Sequence, residues 1–183
     1  MAIANGDRQF SFLQSIVLAA LSSNQHFLSD TILKALNFHV IACLHTSAGM
    51  YRPCQVEVGS YRPPPEFQVP GLMENFINRV NRAWETADPV NLAASILWRL
   101  NHIHPFINGN SRTARAAAYF ALCVKLGGWL PGTPNLPARL KNRDSEYLAA
   151  IKAADASFDA GTLDLSELHS LIARLLQEQV STP

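Results

Sequence analysis

His104-Pro105-Phe106-Ile107-Asn108-Gly109-Asn110-Ser111-Arg112-Thr113-Ala114-Arg115 separates two stretches that read as helix. Upstream, Asp88-Pro89 is a start signal, a capping carboxylate followed by a proline in the first turn. Leu92, Ile96, Leu97, Leu100 and Ile103 follow it at helical spacing. Downstream, from Ala114 to Val124, nothing polar faces any side after Arg115, which predicts a helix buried all round at the centre of a bundle. Gly127-Gly128 ends it. Pro105 stops the first helix near His104, because the residue before a proline avoids the helical region. The imidazole is thereby held at a helix end, at the lip of whatever the loop encloses.

The loop itself has the makings of an anion site. Gly109 and Asn110 are residue types that tolerate positive φ, so successive N–H groups there turn inward as a nest. The next helix begins at once and aims its own unsatisfied N–H groups at the same space. Arg112 and Arg115, three apart, share a face in its first turns. Cations at a helix N-terminus oppose the macrodipole, at a cost of a few tenths to about 1 kcal/mol each at an exposed site. No carboxylate lies close in sequence: Asp88 precedes the loop by a whole helix and Asp144 comes much later. An external polyanion offsets that cost, and planar guanidiniums suit phosphate oxygens. A histidine, a nest and two arginines together suit phosphoryl or nucleotidyl transfer, with imidazole as base and amides and guanidiniums on the phosphate.

Outward from this loop the chain reads mainly as helix. Ser29 is a cap for a helix whose face carries Leu33, Leu36, Val40 and Leu44. Leu72, Phe76, Val80 and Trp84 form another face after Pro70-Gly71. Two helices are expected near the C-terminus, one with Tyr147, Leu148 and Ile151 and one with Leu168, Leu171, Ile172 and Leu175. Asp164 and Glu167 offer a capping box for the last. The exception is Arg52 to Pro70, where Gln55-Val56-Glu57-Val58 alternates, Gly59-Ser60 suits a turn and Pro63-Pro64-Pro65 forbids helix. A short hairpin or a single edge strand is predicted there. Near the N-terminus Asp7 cancels Arg8, and Gln9, Ser11, Gln14 and Ser15 interrupt the apolar run, unlike a signal peptide. Phe10, Leu13, Val17 and Ala20 recur instead as one helical face.

Composition bounds the function. With 183 residues and 48% hydrophobic side chains, one compact domain with a full core is expected. Lys and Arg total 15 against 14 Asp and Glu, so no global basic field binds nucleic acid and any anion site is local. No apolar run suits a bilayer, so neither nucleic acid nor membrane is an expected partner. Three distant cysteines, Cys43, Cys54 and Cys123, imply no disulfide framework and a reducing, cytoplasmic setting.

The stretch resembles the Fic (Fido) family signature H-P-F-x-[D/E]-G-N-G-R-x-x-R, matched by His104, Pro105, Phe106, Gly109, Asn110, Arg112 and Arg115. Ala48-Gly49-Met50-Tyr51-Arg52 resembles the family's AG-x-[FY]-R, and Gln55-Val56-Glu57-Val58-Gly59 resembles its β-hairpin flap. The run from Pro63 to Met73 is similar to the prolines and V-P-x-L-M that follow the flap. The resemblance implies a Fic/Fido-fold helical bundle with a short β-hairpin flap. It also implies an N-terminal helix at 1–28 and a Fido domain at 29–183, with a core at about 30–155 and a C-terminal helix at about 164–180.

It implies transfer of AMP, or another nucleotide or phosphate-bearing group, from ATP or a related donor to a Ser, Thr or Tyr hydroxyl of a target protein. His104 takes the role of base; Asn108, Gly109, Asn110, Ser111, Arg112 and Arg115 bind nucleotide, Arg115 toward the γ-phosphate. Phe106 anchors the loop in the core, and Gln55, Val56, Glu57, Val58 and Gly59 pair with the target's backbone. At the family's Mg²⁺-binding carboxylate stands Asn108, whose amide oxygen lacks the charge that favours a hard cation. At its glycine stands Ser111, which narrows the pocket. Neither terminal region carries the family's inhibitory [S/T]-x-x-x-E-[G/N], so restraint of Arg115 calls for a separate antitoxin chain. The expected setting is the cytoplasm, or a host cytosol for a delivered effector.

The two departures motivate a second reading, a catalytically weakened scaffold that binds nucleotide or a partner protein as a regulator. A third is a metallohydrolase using His102, His104 and a distant ligand. Against that, His102 is expected to be a buried, hydrogen-bonded histidine, Ser111 an N-cap, Asn108 a bond within the loop, and Cys43, Cys123 and Tyr147 core residues.

Overall fold

The computed structural model describes residues 2–181. Its regular elements among the described residues are helices: α1 Ala2–Ser23, α2 Asp30–Ile41, α3 Val69–Ala83, α4 Pro89–Ile103, α5 Asn110–Lys125, α6 Leu136–Asn142, α7 Asp144–Asp159 and α8 Ser166–Val180, with a 3₁₀ turn at Glu66–Gln68. The start signals act as read. Ser29 accepts the Ile32 N–H at 3.1 Å, and Asp88 accepts those of Val90 and Asn91 at 2.9 and 3.0 Å.

Helix α5 is the axis. Every residue from Thr113 to Val124 is buried. The alanines at 114, 116, 117, 118 and 121 let neighbouring backbones approach closely, and α4, α2, α1 and α6 all pack on it. Helix α1 joins this core through Leu13 and Val17, while α8 leans on α4, α6 and α7. Gln179, fully buried on α8, donates to the Tyr119 hydroxyl at 2.8 Å and accepts the Leu136 N–H at 2.7 Å. One amide thus fastens three helices and satisfies the buried start of α6.

Four expectations are corrected. First, α2 ends at Ile41: Cys43 takes φ +62°, so Leu44 leaves the helical face and is 47% exposed, and Cys43 is exposed rather than core. Second, α6 went unread, because its seven residues carry only Leu136 and Leu140 as a buried pair and Pro137 masks the pattern. Third, the capping box is half made. Asp164 accepts the Ser166 N–H at 2.8 Å, with no return bond from Glu167 among the described residues.

Fourth, the predicted hairpin has no strands among the described residues. Val58 and Tyr61 exchange both backbone hydrogen bonds, at 2.9 and 3.0 Å, around Gly59-Ser60, and the pairing extends no further. Pro53 and Pro63 to Pro65 have no N–H to continue a ladder.

Candidate nucleotide-binding loop

The loop between α4 and α5 is built by the conflict between helix and proline. Pro105 denies His104 the right-handed region, and His104 caps α4 at φ 51°, ψ 59°, its N–H still bonded to Leu100 O at 3.0 Å. A non-glycine residue in that left-handed region costs roughly 1 kcal/mol, so the surroundings must hold it. They do so through Arg52, a fully buried arginine. Its backbone N–H donates to Pro105 O and its Nε to His104 O, both at 2.8 Å; Nη1 reaches Cys54 O at 3.0 Å and Nη2 reaches Pro64 O. One guanidinium ties the histidine's backbone to both limbs of the proline-rich segment. Sequence reading placed Arg52 in a family-like string but gave it no task.

Past Pro105, Phe106 is buried and bridges Tyr51, the anchor role expected of it. Asn110 then closes the loop on itself. Its Oδ1 accepts the Phe106 N–H at 2.9 Å while its Nδ2 donates to Phe106 O at 2.7 Å. Asn37 of α2, also missed, holds the other side: Nδ2 donates to Asn108 O at 2.9 Å, and Oδ1 accepts the Gly49 N–H at 3.0 Å. Gly109 has φ +79°, and a Cβ there would stand 2.8 Å from Val40 Cγ1 and 3.0 Å from Ile41 Cγ2. Both the turn and the close approach to α2 require glycine.

Asn110 proves helical rather than part of a two-residue nest. The donors come instead from the first turn of α5, whose Asn110, Ser111 and Arg112 N–H groups meet no acceptor among the described residues. Ser111 lies inside the helix and is no cap; its Oγ accepts from Arg115 Nη1 at 2.7 Å. Arg115 is buried beneath Tyr147, 5.9 Å from the ring centroid, and Tyr147 in turn accepts from Asn101 Nδ2 at 2.8 Å. Among the described residues Arg112 makes only a long contact, 3.4 Å, to Val40 O. Neither arginine has an ion pair among the described residues. Burial lowers the pKa of both; Asp144 partly opposes this at Arg115, and Arg112 adds to it. Asp144, remote in sequence, is therefore an acid whose field reaches Arg115, after that of Tyr147.

His104 is mostly buried, and burial brings its pKa down to about 4, with the Arg52 charge adding to the shift and the Asn101 carbonyl opposing it. The imidazole is neutral at pH 7 and able to accept a proton. His102, two residues earlier, turns elsewhere. Its Nδ1 lies 3.1 Å from Asp155 Oδ1 and 3.2 Å from the Tyr61 hydroxyl, against Trp98 and Phe158, the hydrogen-bonded fate expected of it.

The residues at the implied magnesium position do not fit a metal. Asn108 is uncharged and its Oδ1 already accepts the Gly109 N–H at 2.6 Å. Among the described residues no three His, Cys, Asp or Glu side chains stand close enough to share an ion. That geometry also leaves the metallohydrolase reading without a ligand set.

In the flap segment Gln55 Nε2 donates to Pro63 O at 2.9 Å, while no backbone hydrogen bond uses the N–H groups of residues 55–57 among the described residues. Glu57, Val58 and Gly59 are exposed. No helix is long and apolar enough to cross a membrane.

Residues 27–122, more than half of the chain, match the Fic/DOC family, and the chain belongs to that family. It is 38% identical over 92 residues to protein adenylyltransferase Fic of Drosophila willistoni, covering 48% of this chain and 18% of that protein. To the Drosophila grimshawi protein of the same name it is 43% identical over 68 residues, 37% of this chain and 14% of the other. The chain thus spans under a fifth of the curated relatives it matches. Its fold is that of a Fic-1 fragment from C. elegans, with TM-score 0.77 and 24% identity over 98% of this chain and 49% of the other. A Bartonella tribocorum BepC structure with bound AMPPNP superposes with TM-score 0.60 and 13% identity, covering 92% and 86% of the two chains.

Proposed function

We propose that the protein transfers AMP from ATP to a hydroxyl of a target protein, at the loop between α4 and α5. The observation that carries this reading is the set of anion-directed donors there, three backbone N–H groups without an acceptor and two arginines without an ion pair among the described residues, at the same end of the α4–α5 pair as a neutral imidazole. Adenylyltransferase relatives support the choice of group. In the reaction His104 removes the proton from the target hydroxyl as its oxygen forms a bond to the α-phosphorus. The bond from that phosphorus to the bridging oxygen breaks, and pyrophosphate departs with the electron pair. The N–H groups of Asn110, Ser111 and Arg112 and the guanidiniums of Arg112 and Arg115 stabilise the phosphate oxygens. The target is a protein chain laid against the unpaired N–H groups of residues 55–57, adding a strand at Gln55 to Gly59. A small separate inhibitory chain presenting a carboxylate to Arg115 supplies restraint.

Incubation with each nucleotide, followed by intact-mass measurement of the protein and of proteins in an extract, tests the reading. AMP-sized additions that fall at least ~100-fold in His104→Ala are expected, the usual weight of a general base. Additions of equal extent in that variant would refute the mechanism.

The Ser111–Arg115 hydrogen bond favours one alternative, a nucleotide-binding scaffold without turnover, because it occupies the arginine nearest the buried core. Tight ATP binding by calorimetry, with no mass addition to any protein from any donor, would select it.

A further inference from the structure

A second pair of arginines stands apart from the nucleotide loop. Arg79 of α3 and Arg99 of α4 line a cavity of about 720 Å³ between those helices and the end of α7, and no residue from His104 to Arg115 lines it. Neither guanidinium has a hydrogen bond or an ion pair among the described residues, and the lining contains no Asp or Glu. The wall is apolar and aromatic: Phe76, Val80, Leu92, Trp98, Phe158 and Leu163. Arg99 lies against two of those rings, 5.5 Å from the Trp98 centroid and 5.7 Å from that of Phe158. Burial, and then the Arg79 charge, lower the pKa of Arg99. Arg99 is thus partly desolvated beside an apolar wall and repelled by Arg79, opposed by the field of Tyr61 and by the two ring faces, with no carboxylate in the lining.

We propose that this cavity binds a small amphipathic anion, an apolar chain or ring bearing one carboxylate or phosphate. The anionic head sits between Arg79 and Arg99 and the apolar body lies along Phe76, Trp98 and Phe158. The volume is that of an ordinary small-ligand site, roughly 300–1,000 Å³, with a mainly apolar lining and a few convergent polar groups. Guanidinium forks suit either head group, bidentate in both cases. The site shares no residue with the nucleotide loop from His104 to Arg115, and it does not depend on the transfer reaction.

The test uses three probes of one chain length on the full protein: decanoate, decyl phosphate and the neutral decanol. Calorimetry gives affinity, and the indole N–H resonance of Trp98 reports the location. Saturable one-to-one binding is expected for at least one of the anions, about tenfold or more tighter than decanol, the ordinary worth of a charge-assisted contact. Whichever anion binds tighter identifies the head group. Arg79→Gln, an exposed position whose change leaves the fold intact, and Arg99→Gln should each weaken the anion at least about threefold while leaving decanol unchanged. Decanol binding as well as both anions, anion affinity indifferent to both substitutions, or no binding of any probe below about 1 mM would overturn the proposal.

Discussion

Arg52 ties the nucleotide loop to the flap segment, yet the two are held in opposite ways. In the loop, Asn37, Asn110 and Arg52 bond the backbone from both sides, and Gly109 is wedged against α2. In the flap, one residue pair is bridged and a row of N–H groups has no acceptor among the described residues. Under the proposed function the contrast separates two tasks. Phosphate charge is stabilised best by donors that need no reorganisation, whereas a strand that captures varied backbones needs open positions.

That contrast can be broken from either side. Gly109→Ala should do the most damage, because the new Cβ meets Val40 and Ile41 at a positive φ. A loss of about 2–4 kcal/mol is expected, read as a lowered urea midpoint, and nucleotide affinity should fall with it. Arg52→Ala removes the donor to three carbonyls, those of His104, Cys54 and Pro64, and should cost about 2–3 kcal/mol by the same measurement. An unchanged midpoint would show that loop and flap are held independently.

His104 sharpens the comparison through pH. Its folded pKa of about 4 lies below the unfolded value, so between about pH 6.5 and 4 the unfolded chain binds more protons. Stability is therefore full above that window and falls on acidification, by up to about 1.4 kcal/mol per pH unit from this group. His104→Asn should remove that share of the acid slope. The smallest stability effect is expected from Val56→Pro in the flap, within about 0.5 kcal/mol, since no ladder bond is lost. Its KM for a protein target should nevertheless rise with kcat little changed.

Much of the scaffold was legible because its signals are local. Ser29 and Asp88 sit within three residues of the N–H groups they cap, and Pro105 acts on its immediate neighbour. The unbroken apolar run after Arg115 stated the burial of α5 on its own. The site was legible as a set of residue types, while what holds it was not. Asn37 reaches Asn108 across 71 positions and Arg52 reaches His104 across 52. No periodicity records such pairings. Only the string from Ala48 to Arg52 gave a signal, and it named a residue without its bonds. The hairpin was over-read because alternation speaks for side chains, whereas the missing N–H groups of Pro53 and Pro63 to Pro65 decided the backbone.

Asn110 uses both ends of one amide on the backbone of Phe106, so the turn is a ring of bonds complete before any visitor arrives. Little ordering is left for a guest to impose, and its affinity is spared that entropic toll. Exchange of the Phe106 amide hydrogen should accordingly be about as slow with the nucleotide absent as with it bound.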